Sequence, residues 1–225
     1  MQSLERIQMI DESTKYELQN IIEGDGLSGT TTLIKAVQRF LRENESTSQE
    51  HSQSKSFKNQ EKNKLIGFIE ENRLWYDTDI NPAHYITEGA EQKVYFFDRD
   101  YIIKLNSGIF YEKWLDYFNS LLVHNYFFKS TAYILLGFKL IDNELFAVVK
   151  QRFVEANEST DLLKLKELLE YNHFKNIRNN DYIHDDLGLI LEDLHDENVL
   201  TKDNILYFID TVFYLTEKFY QKSGK

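Results

Sequence analysis

The spacing of apolar residues changes along the chain and predicts two kinds of structure. Over residues 4–22, 30–43 and 64–76, apolar side chains recur at the three- and four-residue spacing of a helix. From Tyr85 onward, short apolar runs separated by polar turns replace that spacing, as is typical of strands. The predicted fold class is therefore α+β, with a small helical N-terminal segment ahead of a sheet.

Residues 44–63 contain almost no large apolar side chains. Such a stretch buries little surface, which favours either a flexible linker or a solvated helix face. We therefore predict an N-terminal helical segment over 1–43, a flexible linker over 44–63 and a main domain over 64–225.

The apolar runs after Tyr85 predict a sheet and its flanking helices. Strands are expected within 85–97, broken by a glycine turn, at 101–105, and as an antiparallel pair at 131–142 and 145–154. Together these make a five-stranded antiparallel sheet. Helices are expected over 109–128 and over 160–172, the latter with a Thr or Ser cap, and a hairpin is expected over 174–191.

The stretch from Leu191 to Asp210 carries the candidate chemistry. Asp193 is followed five residues later by Asn198, and two short apolar runs separated by a polar turn then end at Asp210. Two short strands joined by a tight turn would hold these three side chains at the strand ends. Asp193 could accept a proton from a hydroxyl, while Asn198 and Asp210 offer the oxygen ligands that Mg²⁺ prefers.

Composition narrows the function classes. Apolar residues make up 42% of the 225 residues, which is enough for a packed core, and no apolar run reaches the length of a membrane span. The absence of cysteine rules out disulfides and thiolate metal sites, and with no basic-then-apolar N-terminal segment a cytoplasmic location is expected. The net charge of −11 argues against general binding to nucleic-acid phosphates.

Asp193-Leu-His-Asp-Glu-Asn198 resembles the catalytic loop of the protein-kinase-like superfamily. The Asp-Leu-His form is closer to aminoglycoside and choline kinase-like enzymes than to eukaryotic protein kinases. The nearest resemblance is to the polyvalent protein kinase family, carried by phages and conjugative elements of bacteria. Two positions depart from the superfamily pattern, because Leu191 replaces a histidine and Asp210-Thr-Val212 stands for Asp-Phe-Gly.

The resemblance also implies a nucleotide-binding N-lobe and a minimal C-lobe, with fifteen residues after Asp210. Gly89 corresponds to a loop glycine over the phosphates, and Lys104 to the strand lysine that contacts the α- and β-phosphates of ATP. Gln151 and Phe153 fall in the segment whose backbone binds adenine. The alternatives are a plain β-turn at Gly89 and an exposed strand lysine at Lys104.

The acidic partner of that lysine is expected on the helix over 109–128. Glu112 is the candidate, Asp116 one turn later shares its face, and a solvated helix acid is the alternative. His124, in the same aromatic-rich stretch, is interpreted as a structural, hydrogen-bonded histidine. Gly24 to Thr31 invites comparison with a phosphate loop but carries Thr30 where such a loop has lysine, so we interpret it as a connector between helices.

The function implied is an ATP- and Mg²⁺-dependent phosphotransferase acting on a hydroxyl acceptor, either a protein Ser/Thr or a small molecule. Asp193 would act on the acceptor, with His195 and Asp196 helping to position it. The alternative is a nucleotide-binding pseudokinase or a protein-interaction module of a mobile element.

Overall fold

The structure is a computed structural model that describes residues 10–24, 32–45, 54–89 and 91–221. Within these ranges the helices are α1 (Thr14–Glu23), α2 (Thr32–Glu43), α3 (Ser54–Glu71), α4 (Trp114–Phe127), α5 (Leu162–Tyr171) and α6 (Glu217–Tyr220). Short 3₁₀ turns occur at Pro82–His84 and Lys129–Thr131. None of the described helices has the length and apolar character needed to cross a lipid bilayer.

The chain packs into two compact units. The sheet unit comprises Leu27–Phe118 and Tyr133–Phe153, and the loop unit comprises Met1–Gly26, Asn119–Ala132 and Val154–Lys225. Helix α4 begins in the sheet unit and ends in the loop unit.

A five-stranded antiparallel sheet forms the sheet unit, which confirms the α+β class and the predicted strand number. Its strands are β1 (Tyr85–Glu88), β2 (Gln92–Phe96), β3 (Tyr101–Asn106), β4 (Ile134–Ile141) and β5 (Glu144–Arg152), in the spatial order β1-β2-β3-β5-β4. The inner strands β3 and β5 are buried along most of their length, because both are nearly continuous apolar runs. Ile103, Leu105, Phe146 and Val148 form a core cluster in this unit.

Two small sheets build the loop unit. Strands β6 (Lys175–Arg178), β7 (Asp181–His184), β8 (Leu189–Glu192) and β11 (Val212–Leu215) form one sheet in the order β11-β8-β7-β6. Strands β9 (Val199–Lys202) and β10 (Ile205–Phe208) pair as the predicted hairpin around the polar turn. Strand β11 and helix α6 were not predicted, although β11 completes the sheet by pairing with β8.

Helix α1 is hydrogen-bonded to the rest of the loop unit. The Lys15 ammonium donates to the Lys218 carbonyl at 2.8 Å, and the Tyr126 hydroxyl donates to Glu17 at 2.7 Å. Burial, together with the bond to Glu17, raises the pKa of Tyr126 to about 12. The predicted helix over 4–22 is present from Thr14 onward. Residues 10–13 precede it and are not helical, and residues 4–9 lie outside the described part of the chain.

Two local predictions need correction. Helix α3 begins at Ser54, so residues 54–63 are helical instead of forming the end of a flexible linker. The physical reason is a contact distant in sequence, because Lys58 donates to the Gly108 and Tyr111 carbonyls and so holds this polar stretch against the segment before α4. The N-cap of α5 is Asp161, not Thr or Ser, because the Thr160 hydroxyl instead donates to the Val199 carbonyl at 2.6 Å.

Other predictions fall on residues outside the described ranges. These are the connector over residues 25–31 and the part of the linker over 46–53. Domain boundaries at 43 and 63 stay a prediction, since packing alone does not measure which parts fold independently.

Candidate catalytic loop and lysine strand

The catalytic-loop candidate begins where β8 ends. Asp193 has a φ of +64°, the left-handed conformation that Asp adopts more readily than most residues. Its N–H donates to a carboxylate oxygen of Asp181 on β7 at 3.1 Å. This bond, with the chain reversal at Asp193, turns the backbone out of the sheet and into the loop.

Asn198 fastens the far end of the loop back to Asp193. Its side-chain nitrogen donates to the Asp193 backbone carbonyl at 2.8 Å and to a carboxylate oxygen of Asp193 at 3.0 Å. Both partners are acceptors, so the amide nitrogen must face Asp193. The amide oxygen is thereby left as the atom that can bind a cation.

His195 also faces the Asp193 carboxylate. Its Nδ1 accepts the Glu197 N–H at 3.3 Å, so in the neutral ring Nε2 carries the proton. That nitrogen lies 3.3 Å from an Asp193 carboxylate oxygen, to which it donates, and 3.1 Å from the Asn198 amide nitrogen, a contact that is not a hydrogen bond in this tautomer. The Asp193 side chain is nevertheless 61% exposed, so the same carboxylate remains accessible to an acceptor hydroxyl.

Asp210 is joined to this loop through the backbone of Asn198. The Asn198 carbonyl accepts the N–H groups of Ile209 at 2.9 Å and of Asp210 at 3.2 Å. Asp193, Asn198 and Asp210 are therefore brought together within the loop unit. Among the described residues no three His, Cys, Asp or Glu side chains converge as a metal site. An amide oxygen plus one carboxylate still fits Mg²⁺, which usually keeps waters and takes further ligands from substrate phosphates.

Lys104 lies on β3 in the sheet unit and is only 3% exposed. It pairs with Val149 of β5, and its ammonium lies 5.4 Å from the centre of the Tyr133 ring. The alternative of an exposed strand lysine is therefore wrong. Burying a lysine costs free energy unless other groups stabilise its charge, and the ring face of Tyr133 is one such group.

The structure does not require a glycine at position 89. Its φ is not in the left-handed region, and a Cβ added there would meet no atom within 4 Å. The Gly89 N–H donates to the Gln92 carbonyl at 2.9 Å, which closes the turn between β1 and β2. The open space beside this backbone is compatible with close approach of a ligand.

Gln151 and Phe153 differ in what they can offer to a ligand. Gln151 is fully buried on β5. The Phe153 N–H already donates to the Asp100 carbonyl at 2.8 Å, and its ring meets Phe96 edge-on at 5.1 Å. Any backbone contact from Phe153 to adenine would therefore have to use its carbonyl in this conformation.

Glu112 does not lie on the helix where it was predicted. It is exposed, and α4 begins two residues later at Trp114. The reason is a cap from α3, since the Glu61 carboxylate accepts the N–H groups of Trp114 at 2.6 Å and Leu115 at 3.2 Å. Asp116 lies in the first turn of α4, where burial raises the pKa of its carboxyl. Pairing of Lys104 with Glu112 or Asp116 stays a prediction.

Glu61 was not anticipated as a functional or structural residue. Burial raises the pKa of its carboxyl, against the opposing effect of the two backbone N–H donors. A Glu that caps a helix 53 residues later leaves no local signal in the sequence.

A family model described as serine/threonine/tyrosine kinase found in polyvalent proteins matches residues 58–217, more than half of the chain. No curated protein and no solved structure matches. The matched region includes α3 from Lys58, the five-stranded sheet and the loop from Asp193 to Asp210.

Proposed function

The chain belongs to the family of serine/threonine/tyrosine kinases found in polyvalent proteins, and on that premise we propose that it transfers the γ-phosphate of Mg·ATP to a hydroxyl acceptor. The observation that carries the proposal is the linkage of Asp193, Asn198 and Asp210. The side-chain amide of Asn198 is hydrogen-bonded to Asp193, and the backbone carbonyl of Asn198 is hydrogen-bonded to the N–H of Asp210. The acceptor is either a protein Ser/Thr or a small molecule.

In this proposal Asp193 orients the acceptor hydroxyl and takes its proton. Its exposed carboxylate and the donors from His195 and Asn198 support that role, because they fix its orientation while leaving it accessible. His195 and the exposed Asp196 would help to position the acceptor.

Asn198 and Asp210 would hold Mg²⁺, through the amide oxygen of one and the carboxylate of the other. The ion, when bound, would neutralise charge on the transferring phosphates. Catalysis of this type depends mostly on positioning and charge stabilisation. A loop whose members are hydrogen-bonded to one another before any ligand arrives suits that requirement.

Lys104 would contact the α- and β-phosphates of ATP, and the backbone at Gly89 would approach them. The burial of Lys104 supports this role, because a desolvated ammonium attracts phosphate more strongly than one in water. Gln151 and Phe153 would lie along the adenine. With the five-stranded sheet as the N-lobe, the loop unit would be the C-lobe.

A second candidate is a pseudokinase that binds nucleotide without transferring phosphate. The observation favouring it is Glu112, which is exposed and lies outside α4 instead of on the helix. Leu191 in place of the usual histidine points the same way. In this alternative, residues 1–43 together with residues 44–63 would act as the docking part for a partner protein.

The two candidates differ in phosphate transfer, not in binding. Titration calorimetry with ATP, with and without Mg²⁺, measures binding. Transfer from γ-labelled ATP is measured on the same samples, to the protein itself, to Ser/Thr peptides and to hydroxyl-bearing small molecules. Magnesium-dependent binding with transfer supports the kinase, and binding without any transfer supports the pseudokinase. Absence of magnesium-dependent binding would contradict both.

A further inference from the structure

A buried polar network surrounds the segment that carries Asp210. Its members are the ring of His124 in the last turn of α4, the Thr131 residue just after that helix, and Thr211, which follows Asp210. His124 and Thr131 are fully buried, and Thr211 is 5% exposed. The roles proposed above use none of these side chains.

We propose that His124 is a positioning residue that holds Asp210 in place for the metal–nucleotide complex, acting through the hydroxyl of Thr211. This inference rests on the proposed function, since Asp210 is the metal-binding carboxylate only under that proposal. It assigns a task to a histidine that the sequence indicated only as structural.

The hydrogen bonds of His124 fix both its tautomer and its direction. Its Nε2 lies 3.0 Å from the Thr131 carbonyl oxygen, which can only accept, so Nε2 carries the proton. Nδ1 is then an acceptor in the neutral ring, and it lies 2.7 Å from the Thr211 hydroxyl, which donates to it. The imidazole thus links the end of α4 to the residue directly after Asp210.

Two further bonds hold the same segment on either side of Asp210. The Thr131 hydroxyl donates to the Phe208 carbonyl at 2.6 Å, two residues before Asp210. The Ser120 hydroxyl accepts the Phe213 N–H at 2.9 Å, three residues after Asp210. Ser120 and His124 are four residues apart on α4 and therefore lie on one face of the helix.

Aromatic packing excludes water from this network. The Phe128 ring stacks on Phe208, with centroids 4.1 Å apart, and lies 5.2 Å from the His124 ring. Hydrogen bonds in such a desolvated setting are strong, and a member left without its partner is costly.

Asp210 is therefore held from two directions. Its own N–H and that of Ile209 donate to the Asn198 carbonyl, while the chain on both sides is bonded to α4 and the turn after it. Removing the Thr211 hydroxyl should release the residue directly after Asp210 from α4, while the bonds of Thr131 and Ser120 remain, and should let the Asp210 carboxylate move from the position that Mg²⁺ needs. A binding site has to be held within about 0.5 Å of its productive geometry, so a displacement of about 1 Å should weaken Mg²⁺ binding.

The test compares three threonine substitutions in the full chain. Thr211→Val removes the hydroxyl and nearly keeps the volume, whereas Thr211→Ser keeps the hydroxyl. Thr216→Val is the matched control, because it removes a hydroxyl that donates to the Gly188 carbonyl at 3.1 Å in the same unit. His124→Gln is measured beside them, and its two readouts should shift in the same direction as those of Thr211→Val. The test therefore remains valid if Thr211→Val fails to fold.

Two readouts separate positioning from stability alone. The first is hydrogen exchange at the amides of Ile209 and Asp210 without ligand, measured by NMR. The second is the Mg²⁺ concentration that half-saturates ATP binding. Thr211→Val should increase the exchange rate of these two amides and the half-saturating Mg²⁺ concentration, each by about five- to tenfold. This factor is equivalent to one lost buried hydrogen bond. Thr211→Ser should restore values near the parent, and Thr216→Val should lower the melting temperature without changing either.

Each outcome separates this inference from the proposed function. Unchanged exchange and unchanged Mg²⁺ dependence in Thr211→Val would overturn the positioning role of His124 while leaving the kinase proposal intact. An equal change in Thr216→Val would assign the effect to general destabilisation and would also overturn it. A parent protein that binds no Mg·ATP would overturn the proposed function, and the role of Asp210 with it.

Discussion

The side-chain amide of Asn198 lies 2.8 Å from the backbone carbonyl of Asp193, to which it donates. This bond orients two groups at once. It turns the amide oxygen of Asn198 away from Asp193 and fixes the loop that presents the Asp193 carboxylate. Aspartate in place of Asn198 would offer a cation more negative charge. It would also lack the amide N–H group that donates to the Asp193 carbonyl. The residue type at this position therefore follows from the hydrogen bond as well as from metal binding.

Asp210→Asn should abolish magnesium-dependent ATP binding. The change removes one negative charge from the proposed metal site while keeping the size of the side chain. Calorimetry with ATP, with and without Mg²⁺, measures the effect. Asp203→Asn is the control, because it makes the same change at an exposed turn carboxylate between β9 and β10. If Asp210→Asn binds Mg·ATP as the parent does, the assigned metal site is wrong.

Lys104→Met should weaken ATP binding by about ten- to hundredfold, the range expected for losing a charged hydrogen bond to phosphate. The free energy of unfolding should stay the same or increase, because an apolar side chain replaces a buried ammonium. Lys139→Met is a close control, since that lysine also lies on a strand of the same sheet, 5.8 Å from the centre of the Tyr76 ring. Equal loss of affinity in both variants would indicate that general charge, not the position of Lys104, matters.

Gly89→Ala should reduce ATP affinity without loss of stability. An added Cβ meets no protein atom there and the backbone is not strained, so any effect has to come from the ligand. Gly67→Ala on α3 is also unobstructed and should stabilise the helix by about 0.5–1 kcal/mol without changing affinity. Thermal unfolding measures the stability of each variant, and titration calorimetry measures its affinity for ATP. Full affinity in Gly89→Ala would remove Gly89 from the proposed phosphate loop.

Glu61 should give the sheet unit a pH-dependent stability. Burial raises the pKa of its carboxyl above the ordinary value of 4.5, so the folded protein holds the proton more tightly than the unfolded chain. Its contribution to stability is therefore greatest below that ordinary value and decreases as pH rises through the raised folded pKa. Glu61→Gln removes the titration but keeps an oxygen that can cap α4.

The measurement for Glu61 is urea unfolding at several pH values. The two tryptophans, Trp75 and Trp114, both lie in the sheet unit, so their fluorescence reports on it. The free energy of unfolding of the parent, minus that of Glu61→Gln, should decrease with rising pH over this interval and then level off. A difference that increases with pH would mean that the hydrogen bonds from Trp114 and Leu115 outweigh burial.

The sequence was sufficient where local pattern and tertiary structure agree. The polar turn over residues 201–204 between two apolar runs predicted the β9–β10 hairpin, and the register of that pair follows from it. The antiparallel pair around Asn143 was predicted for the same reason. The spacing from Asp193 to Asn198 and Asp210 indicated three groups that the structure joins by hydrogen bonds.

Local pattern failed where a partner distant in sequence decides the structure. Residues 54–63 have a linker-like composition, but the stretch is helical. Lys58 binds the backbone just before α4, and Glu61 binds the backbone of the first turn of α4, about fifty positions later. The same cap delays the start of α4 and leaves Glu112 outside it. His124 could be interpreted only as structural, because its partner Thr211 lies 87 residues away.

Phosphate transfer by Asp193→Asn tests the central claim most directly. Binding of Mg·ATP and transfer from γ-labelled ATP are measured on the same samples of the parent, Asp193→Asn and Asp203→Asn. We expect near-parental binding in Asp193→Asn with transfer lower by about 10²–10⁴-fold, the usual contribution of a positioned general base. Asp203→Asn should match the parent in both. Undiminished transfer by Asp193→Asn, or equal loss of binding and transfer, would contradict the catalytic role assigned to this carboxylate.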